Sequence, residues 1–200
     1  MTAPPPLFPW RLILASASPR RRELLKGLDL QVETTAVDLD ETPPPGMPPE
    51  LVAAHLAMEK SRAWPGTLAL DQVLVTADTT VLIDGELLNK PVDAEDAMRM
   101  LERLSGATHT VITAVCVRTT QGETAFSDKA RVTFARLTEE EIAYYVERYR
   151  PLDKAGAYGV QEWIGYVGVE RLEGSFYTVM GLPLHPLYQA LKRLAPPTTP

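Results

Sequence analysis

The sequence has a single cysteine, Cys116, in 200 residues. That excludes an internal disulfide and a thiolate metal cluster. Cys116 lies inside the apolar run Val111–Val117, where a thiol reads as a buried structural residue rather than a nucleophile. The three histidines, His55, His109 and His185, are scattered without metal-binding spacing. No apolar run approaches the roughly 20 residues of a membrane-spanning helix. Basic charge is scarce as well: 20 Lys and Arg against 26 Asp and Glu leave a net charge of −6. This argues against a general nucleic-acid binder, so any anion site must be a local cluster of cations. There is no G-x-x-x-x-G-K-[ST], which excludes a P-loop, and no G-x-G-x-x-G dinucleotide fingerprint.

What is present is 45% hydrophobic, enough for a sizeable core. No repeat or low-complexity linker divides the chain, so residues 11–194 read as one domain of one or two lobes. Residues 1–10 and 195–200 are expected to be flexible ends, both rich in proline. The opening stretch lacks the basic start of a signal peptide, and Arg11 interrupts its apolar run, so a cytoplasmic protein is expected.

Strand-like and helix-like segments alternate, as in an α/β protein. The runs Leu12–Ala15, Gln31–Val37 and Val73–Ile83 read as strands, and Asp93–Leu104 as an amphipathic helix. From Pro49 to Ala63 the spacing of Leu51, Ala54/His55 and Met58 predicts a helix. Two long β runs, His109–Arg118 and Thr124–Leu137, predict an antiparallel hairpin and therefore a mixed sheet. Thr138 to Glu141 is a capping box that opens a helix to about Arg148. β patterning follows around Tyr166–Leu172 and at Tyr177–Met180, and a last helix spans Leu184–Leu194. Trp10, Trp64 and Trp163 are expected to pack.

Three stretches carry chemistry. In the first, Ser18 suits an N-cap and Pro19 the first helical position, yet Arg20, Arg21 and Arg22 follow in the first turn. A helix N-terminus favours anions, so three cations there are unfavourable unless something negative sits among them. A polyphosphate would find Ser16 and Ser18 hydroxyls, free amides and guanidinium forks; solvated arginines on a surface helix are the other reading. In the second, Asp78 interrupts the β run Val75–Val81, where a carboxylate needs a cation or metal unless the strand ends at Thr76. Pro91 forces Lys90 into an extended conformation that can reach across a cleft, although alone it reads as an ordinary loop lysine. In the third, Asp153–Gln161 combines two glycines, Asp153, Lys154 and Gln161. Gln161 offers one donor and one acceptor, matching O4 and N3–H of uracil or thymine, while a plain glycine-rich connection is the alternative. Asp40 and Glu41 are candidate oxygen ligands for a hard cation or simply a solvated acidic loop. Lys60 falls on the polar side of its predicted helix, solvated or able to reach a phosphate.

Taken in order, several segments resemble the Maf family of nucleoside triphosphate pyrophosphatases. They are Leu14–Arg21, Glu59-Lys60, Ala77-Asp78-Thr79, Asn89-Lys90-Pro91, Leu104-Ser105-Gly106, Asp153–Gln161 and Gly181-Leu182-Pro183. The resemblance implies a bent mixed β-sheet flanked by helices around a central cleft, similar to the ITPase-like fold and often dimeric. It implies hydrolysis of a nucleoside triphosphate between the α and β phosphates with a divalent cation, Mg²⁺ or Mn²⁺, and no membrane or nucleic-acid partner. Asp78 falls on the family's proton acceptor, and Arg20, Thr79 and Gln161 on positions associated with substrate choice. The Asp153–Gly159 segment resembles the branch that prefers dTTP and UTP. Glu162 departs from the pattern, standing where many relatives have glycine.

On this reading Ser16, Ser18, Arg20, Arg21, Lys60 and Lys90 hold the triphosphate, Asp153 and Lys154 support them, and Asp78 with Glu41 binds the metal. The reading extends to modified pyrimidine nucleotides as further substrates, as in house-cleaning of the nucleotide pool. The alternatives are a non-catalytic nucleotide-binding regulator of septum formation and a pyrophosphatase for another non-standard nucleotide.

Overall fold

These alternating segments form a mixed sheet layered with helices in the computed structural model, which describes residues 8–194. The chain runs through β1 (Arg11–Ala15), α1 (Pro19–Lys26), β2 (Val32–Thr35), α2 (Pro49–Ala63), β3 (Gln72–Ile83) and β4 (Glu86–Leu88). It continues through α3 (Ala94–Leu104), the hairpin of β5 (Thr108–Thr119) and β6 (Gly122–Phe134), and α4 (Glu139–Tyr149). A 3₁₀ turn (Ala155–Ala157), α5 (Trp163–Gly168), β7 (Val169–Glu173), α6 (Phe176–Met180) and α7 (Leu184–Arg193) complete it. The sheet order is β2-β1-β3-β5-β6-β7, with β4 paired to the far end of β3. β1 lies parallel to β2 and β3, and the remaining pairs are antiparallel.

A gap along β3 positions the site. β1 pairs with Gln72–Val75 and β4 with Val81–Ile83, so between them Thr76–Thr80 bond to β5 on one side and, among the described residues, to no strand on the other. The gap opens beside the carboxyl end of β1, where the chain leaves toward α1 and the sheet order switches direction. Such a switch point is where open α/β sheets leave room for a ligand.

Side chains alternate across β3 and sort the core into clusters. Val73, Val75 and Ala77 pack with Leu24 and Leu25 of α1 and with Leu187 and Leu191 of α7. Val81 and Ile83, on the same face, pack with Leu101 and Leu104 of α3, Ile142 and Tyr145 of α4 and Ile164 of α5. Thr79 occupies the interval between the two clusters. On the opposite face, to which Asp78 belongs, Ala53 and Ala57 bring α2 against Ile112, Ala114 and Cys116. There Thr76 Oγ1 donates to the Ala57 carbonyl at 2.6 Å.

Several expectations change. α2 forms as its spacing predicts, and of that stripe Ala54 and Met58 pack at the margin of the core while Leu51 faces outward. Val52, Ala53, Leu56, Ala57 and Lys60 are buried, while Leu51 is 55% exposed. The neighbouring stripe is buried more deeply because Ala53 and Ala57 let the helix backbone approach the sheet. The expected β region at Tyr166–Leu172 is helical up to Gly168, since Ile164 and Gly168, one turn apart, face the core and Leu137. Tyr177–Met180 is likewise helical, closed by Gly181 at φ 104°. β4 was too short to carry a period, though the Asp84-Gly85 turn before it marks its hairpin. In the opening segment expected to be flexible, Trp10 is buried and Phe8 meets the Tyr188 ring edge-on at 5.1 Å. Residues 1–7 and the expected flexible tail, 195–200, lie outside the described residues.

Candidate active site

A cleft of about 310 Å³ opens at the gap in β3, within the size range of small-molecule sites. Of the residues singled out for a role, all but Asp40 line it: Ser16, Ser18, Arg20, Arg21, Glu41, Lys60, Asp78, Thr79, Lys90, Asp153, Lys154 and Gln161. Five cations face three carboxylates there, a local excess of positive charge in a chain of net charge −6. Asp40 is not among the lining residues; its Oδ1 accepts the Thr42 amide at 2.9 Å, a local turn in the exposed loop.

The floor is an ion-paired cluster. Lys60 Nζ lies 2.5 Å from Asp78 Oδ1 and 2.6 Å from Glu41 Oε1, and both Lys60 and Asp78 are buried. This overturns the solvated-lysine reading. Lys60 shares the inward stripe of Ala53 and Ala57, and its ammonium is tolerated there only because two carboxylates meet it. Lys90 Nζ reaches Glu41 Oε2 at 2.8 Å from across the cleft, as its extended backbone suggested. Burial pushes the Glu41 carboxyl up, but the hydrogen bonds and charges of Lys60 and Lys90 outweigh it and hold the group at about 2.

One wall is the start of α1. Ser18 caps the helix, accepting the Arg21 amide at 3.5 Å, and the Ser18 amide donates to Ser16 Oγ at 3.2 Å. The first turn holds no acid, so the N-terminal field and the arginines act together on the cleft. Arg21 is a clamp: Nε donates to the Gly181 carbonyl at 2.8 Å, Nη2 to Thr79 Oγ1 at 3.0 Å and Nη1 to Ser16 Oγ at 3.3 Å. Burial lowers its pKa. Gly181 is required beside it, since a Cβ at its positive φ would lie 3.3 Å from Thr79 Oγ1. Arg20 points instead to Asp153 Oδ2, at 2.8 Å, and is joined through that carboxylate to Lys154 at 2.7 Å.

The opposite wall is the glycine-rich segment. Gln161 Oε1 is enclosed and has no hydrogen-bond partner among the described residues. An unpaired acceptor of this kind is costly unless a ligand completes it. Glu162 does not send its charge into the cleft. Its carboxylate accepts a hydrogen bond from the Tyr145 hydroxyl on one oxygen and lies 3.2 Å from Lys154 Nζ on the other. Tyr145 in turn accepts the Gly159 amide at 3.0 Å. Burial, reinforced by Glu162, pushes the Tyr145 phenol above its usual pKa and keeps it a donor. Tyr145, Glu162 and the Thr113 hydroxyl behind Thr79 are the structural partners that sequence reading missed. Only Glu162 gave a signal, as a departure from pattern.

The donor set can be tested against a divalent cation. No group of three or more His, Cys, Asp or Glu among the described residues could hold a metal alone. Asp78 and Glu41, both within 2.6 Å of one ammonium, are a pair that a hard cation sharing its shell with phosphate and water could use. The residues fit Mg²⁺ or Mn²⁺ on that condition.

A switch-point cleft with a cationic helix start, a buried Lys–Asp pair and an unpaired amide acceptor has the donors and charge that a nucleotide phosphate requires. The chain belongs to the Maf family: the profile described as Maf-like protein matches residues 11–194. Its curated relatives include the dTTP/UTP pyrophosphatase of Porphyromonas gingivalis, 53% identical over 92% of this chain and 94% of that one. The dTTP/UTP pyrophosphatase of Phocaeicola vulgatus is 47% identical over 92% and 96%, and that of Flavobacterium johnsoniae 44% over 92% and 95%. A solved structure, the Ham1 protein of Staphylococcus aureus, aligns with a TM-score of 0.49 at 13% identity, covering 92% of this chain and all of that one, a likeness too slight to carry an argument.

Proposed function

We propose that this protein is a nucleoside triphosphate pyrophosphatase that hydrolyses dTTP and UTP to the monophosphate and pyrophosphate. The observation that carries the reading is one cleft holding Asp78, five cations and the unpartnered Gln161 carbonyl. The names of the relatives point the same way.

The triphosphate would lie along the α1 N-terminus, drawing Arg20, Lys60 and Lys90 from the carboxylates that hold them in its absence. Charge developing on the phosphoryl oxygens and on departing pyrophosphate would be met by these cations, already in place and partly desolvated. Asp78 Oδ1 is engaged by Lys60, while Oδ2 has no protein partner among the described residues. That free oxygen is the one to orient a water and take its proton. Asp78 and Glu41 are the residues to hold Mg²⁺ or Mn²⁺, with the nucleotide's own oxygens. A bound divalent ion lowers the pKa of water and neutralises phosphate charge.

Gln161 Oε1 would accept N3–H of uracil or thymine while its amide nitrogen donates to O4. Cytosine reverses both groups and leaves two buried polar atoms mismatched. The 5-methyl group is worth only about 1–3 kcal/mol in an apolar pocket, so dTTP and UTP are both used and 5-modified pyrimidines follow. The reading carries with it a cytoplasmic site of action, where nucleoside triphosphates are made and used, and the homodimer that the family resemblance implies.

The test is pyrophosphate release from a panel of nucleoside triphosphates with Mg²⁺ or Mn²⁺, wild type beside Asp78→Asn. Release from dTTP and UTP that falls at least about 100-fold in the variant supports the reading. Near-normal turnover by Asp78→Asn would remove Asp78 from its role, and silence despite tight nucleotide binding would favour a regulator.

A further inference from the structure

Thr79 stands at one end of a row of side chains crossing three strands. It faces Thr113 of β5 in the register, and Thr113 faces Asp128 of β6. α6 lies over this row and contributes Thr178. The Thr113 hydroxyl, fully buried, is 2.7 Å from the Thr178 carbonyl and 2.9 Å from Thr79 Oγ1. Thr178 Oγ1 donates to the Asp128 carboxylate, pinning the helix that carries that carbonyl.

The direction of each hydrogen bond follows from counting protons. A carbonyl has none to give, so the single O–H of Thr113 goes to Thr178. Thr113 is then an acceptor toward Thr79, and Thr79 commits its own proton there. Arg21 Nη2 donates to Thr79 at 3.0 Å and takes one of its lone pairs. Thr79, which lines the cleft, retains one lone pair and no hydrogen to offer.

We infer that Thr113 is a positioning residue that fixes the hydrogen-bond polarity of Thr79, so that Thr79 meets the nucleotide only as an acceptor and selects a donor group on it. The inference rests on the pyrophosphatase reading of the same cleft. A free threonine hydroxyl would rotate to suit donor or acceptor and discriminate little; a committed one rejects a phosphate oxygen or a bare ring nitrogen. Two groups of dTTP supply the required donor: the hydroxyl of the sugar and, where Thr79 rather than Gln161 Oε1 takes it, the N3–H of the base.

Three substrates separate them: dTTP, dCTP (no hydrogen on N3) and 3′-deoxythymidine triphosphate (no sugar hydroxyl). Steady-state pyrophosphate release is measured for wild type, Thr113→Val, which frees the Thr79 proton, and Thr113→Ser, which keeps the hydroxyl. In Thr113→Val the kcat/KM preference for dTTP over one of the two comparison nucleotides should fall about tenfold, mainly through KM, and return in Thr113→Ser. The ratio that moves names the donor. A variant that loses activity on all three alike, with both ratios at wild-type values, overturns the inference and leaves Thr113 a packing residue. Should wild type release no pyrophosphate from any of them, the pyrophosphatase reading fails separately. The same ratios are then read from binding by titration calorimetry, where unchanged ratios again overturn the role of Thr113 and a shifted one sustains it.

Discussion

Replacing Lys60 by methionine keeps the length of the side chain and deletes the charge that binds the cleft floor together. The Lys60 and Asp78 side chains are 11% and 10% exposed and 2.5 Å apart, so Lys60→Met strands a carboxylate in a nearly dry site. Removing one partner of a buried pair costs about 3–5 kcal/mol, most of it the penalty of the charge left behind. Glu41 adds little, because its side chain is 40% exposed and keeps Lys90 as a partner. Asp78→Asn is the milder change, since Lys60 keeps Glu41. In the double variant no stranded charge remains, and its loss of stability should fall short of the sum of the single losses by at least about 2 kcal/mol. Urea unfolding followed by circular dichroism at neutral pH gives all four values, with equal m-values confirming a common unfolded state. A Lys60→Met loss below about 1 kcal/mol, or strict additivity, would refute the coupled cluster.

His109 sits 1% exposed with Nε2 2.7 Å from the Tyr158 hydroxyl, and burial holds its pKa down at about 4 against an ordinary 6.5. The unfolded chain therefore takes up a proton first as pH falls. Stability is complete above pH 6.5 and lost progressively down to pH 4, by about 2 kcal/mol between pH 7 and pH 5. His109→Gln should remove that portion of the pH dependence in urea unfolding; an unchanged slope would show that other groups cause it. Gln161→Leu fills the space of the amide and deletes its polar pair, so the kcat/KM ratio of dTTP to dCTP should fall about tenfold or more, with a smaller change in melting temperature. An unaltered ratio would assign base selection elsewhere.

Much of the site was legible because its oddities are costly in isolation. An aspartate within a β run and arginines at a helix N-terminus each demand a partner, and the cleft brings both demands together. The Ser18 cap, the β5–β6 hairpin and the Thr138 capping box were legible because local chemistry alone determines them. The burial of Lys60 between Asp78 and Glu41 was not, because α2 offers two stripes with the same period and only the approach of Ala53 and Ala57 to the sheet decides between them. Thr113 was invisible for another reason: threonine is an ordinary strand residue, and its meaning comes from the register that sets it opposite Thr79. The helices α5 and α6 escaped because segments of six and five residues are held by tertiary contacts rather than by propensity.

The most direct test of the proposed reaction is the identity of its products. Incubating the protein with dTTP and a divalent cation and following the phosphorus signals should show dTMP and pyrophosphate rising in equal amounts, with no dTDP. Accumulation of dTDP with inorganic phosphate would place cleavage at the γ phosphate and contradict the assignment of Asp78 and the surrounding cations to attack at the α phosphate.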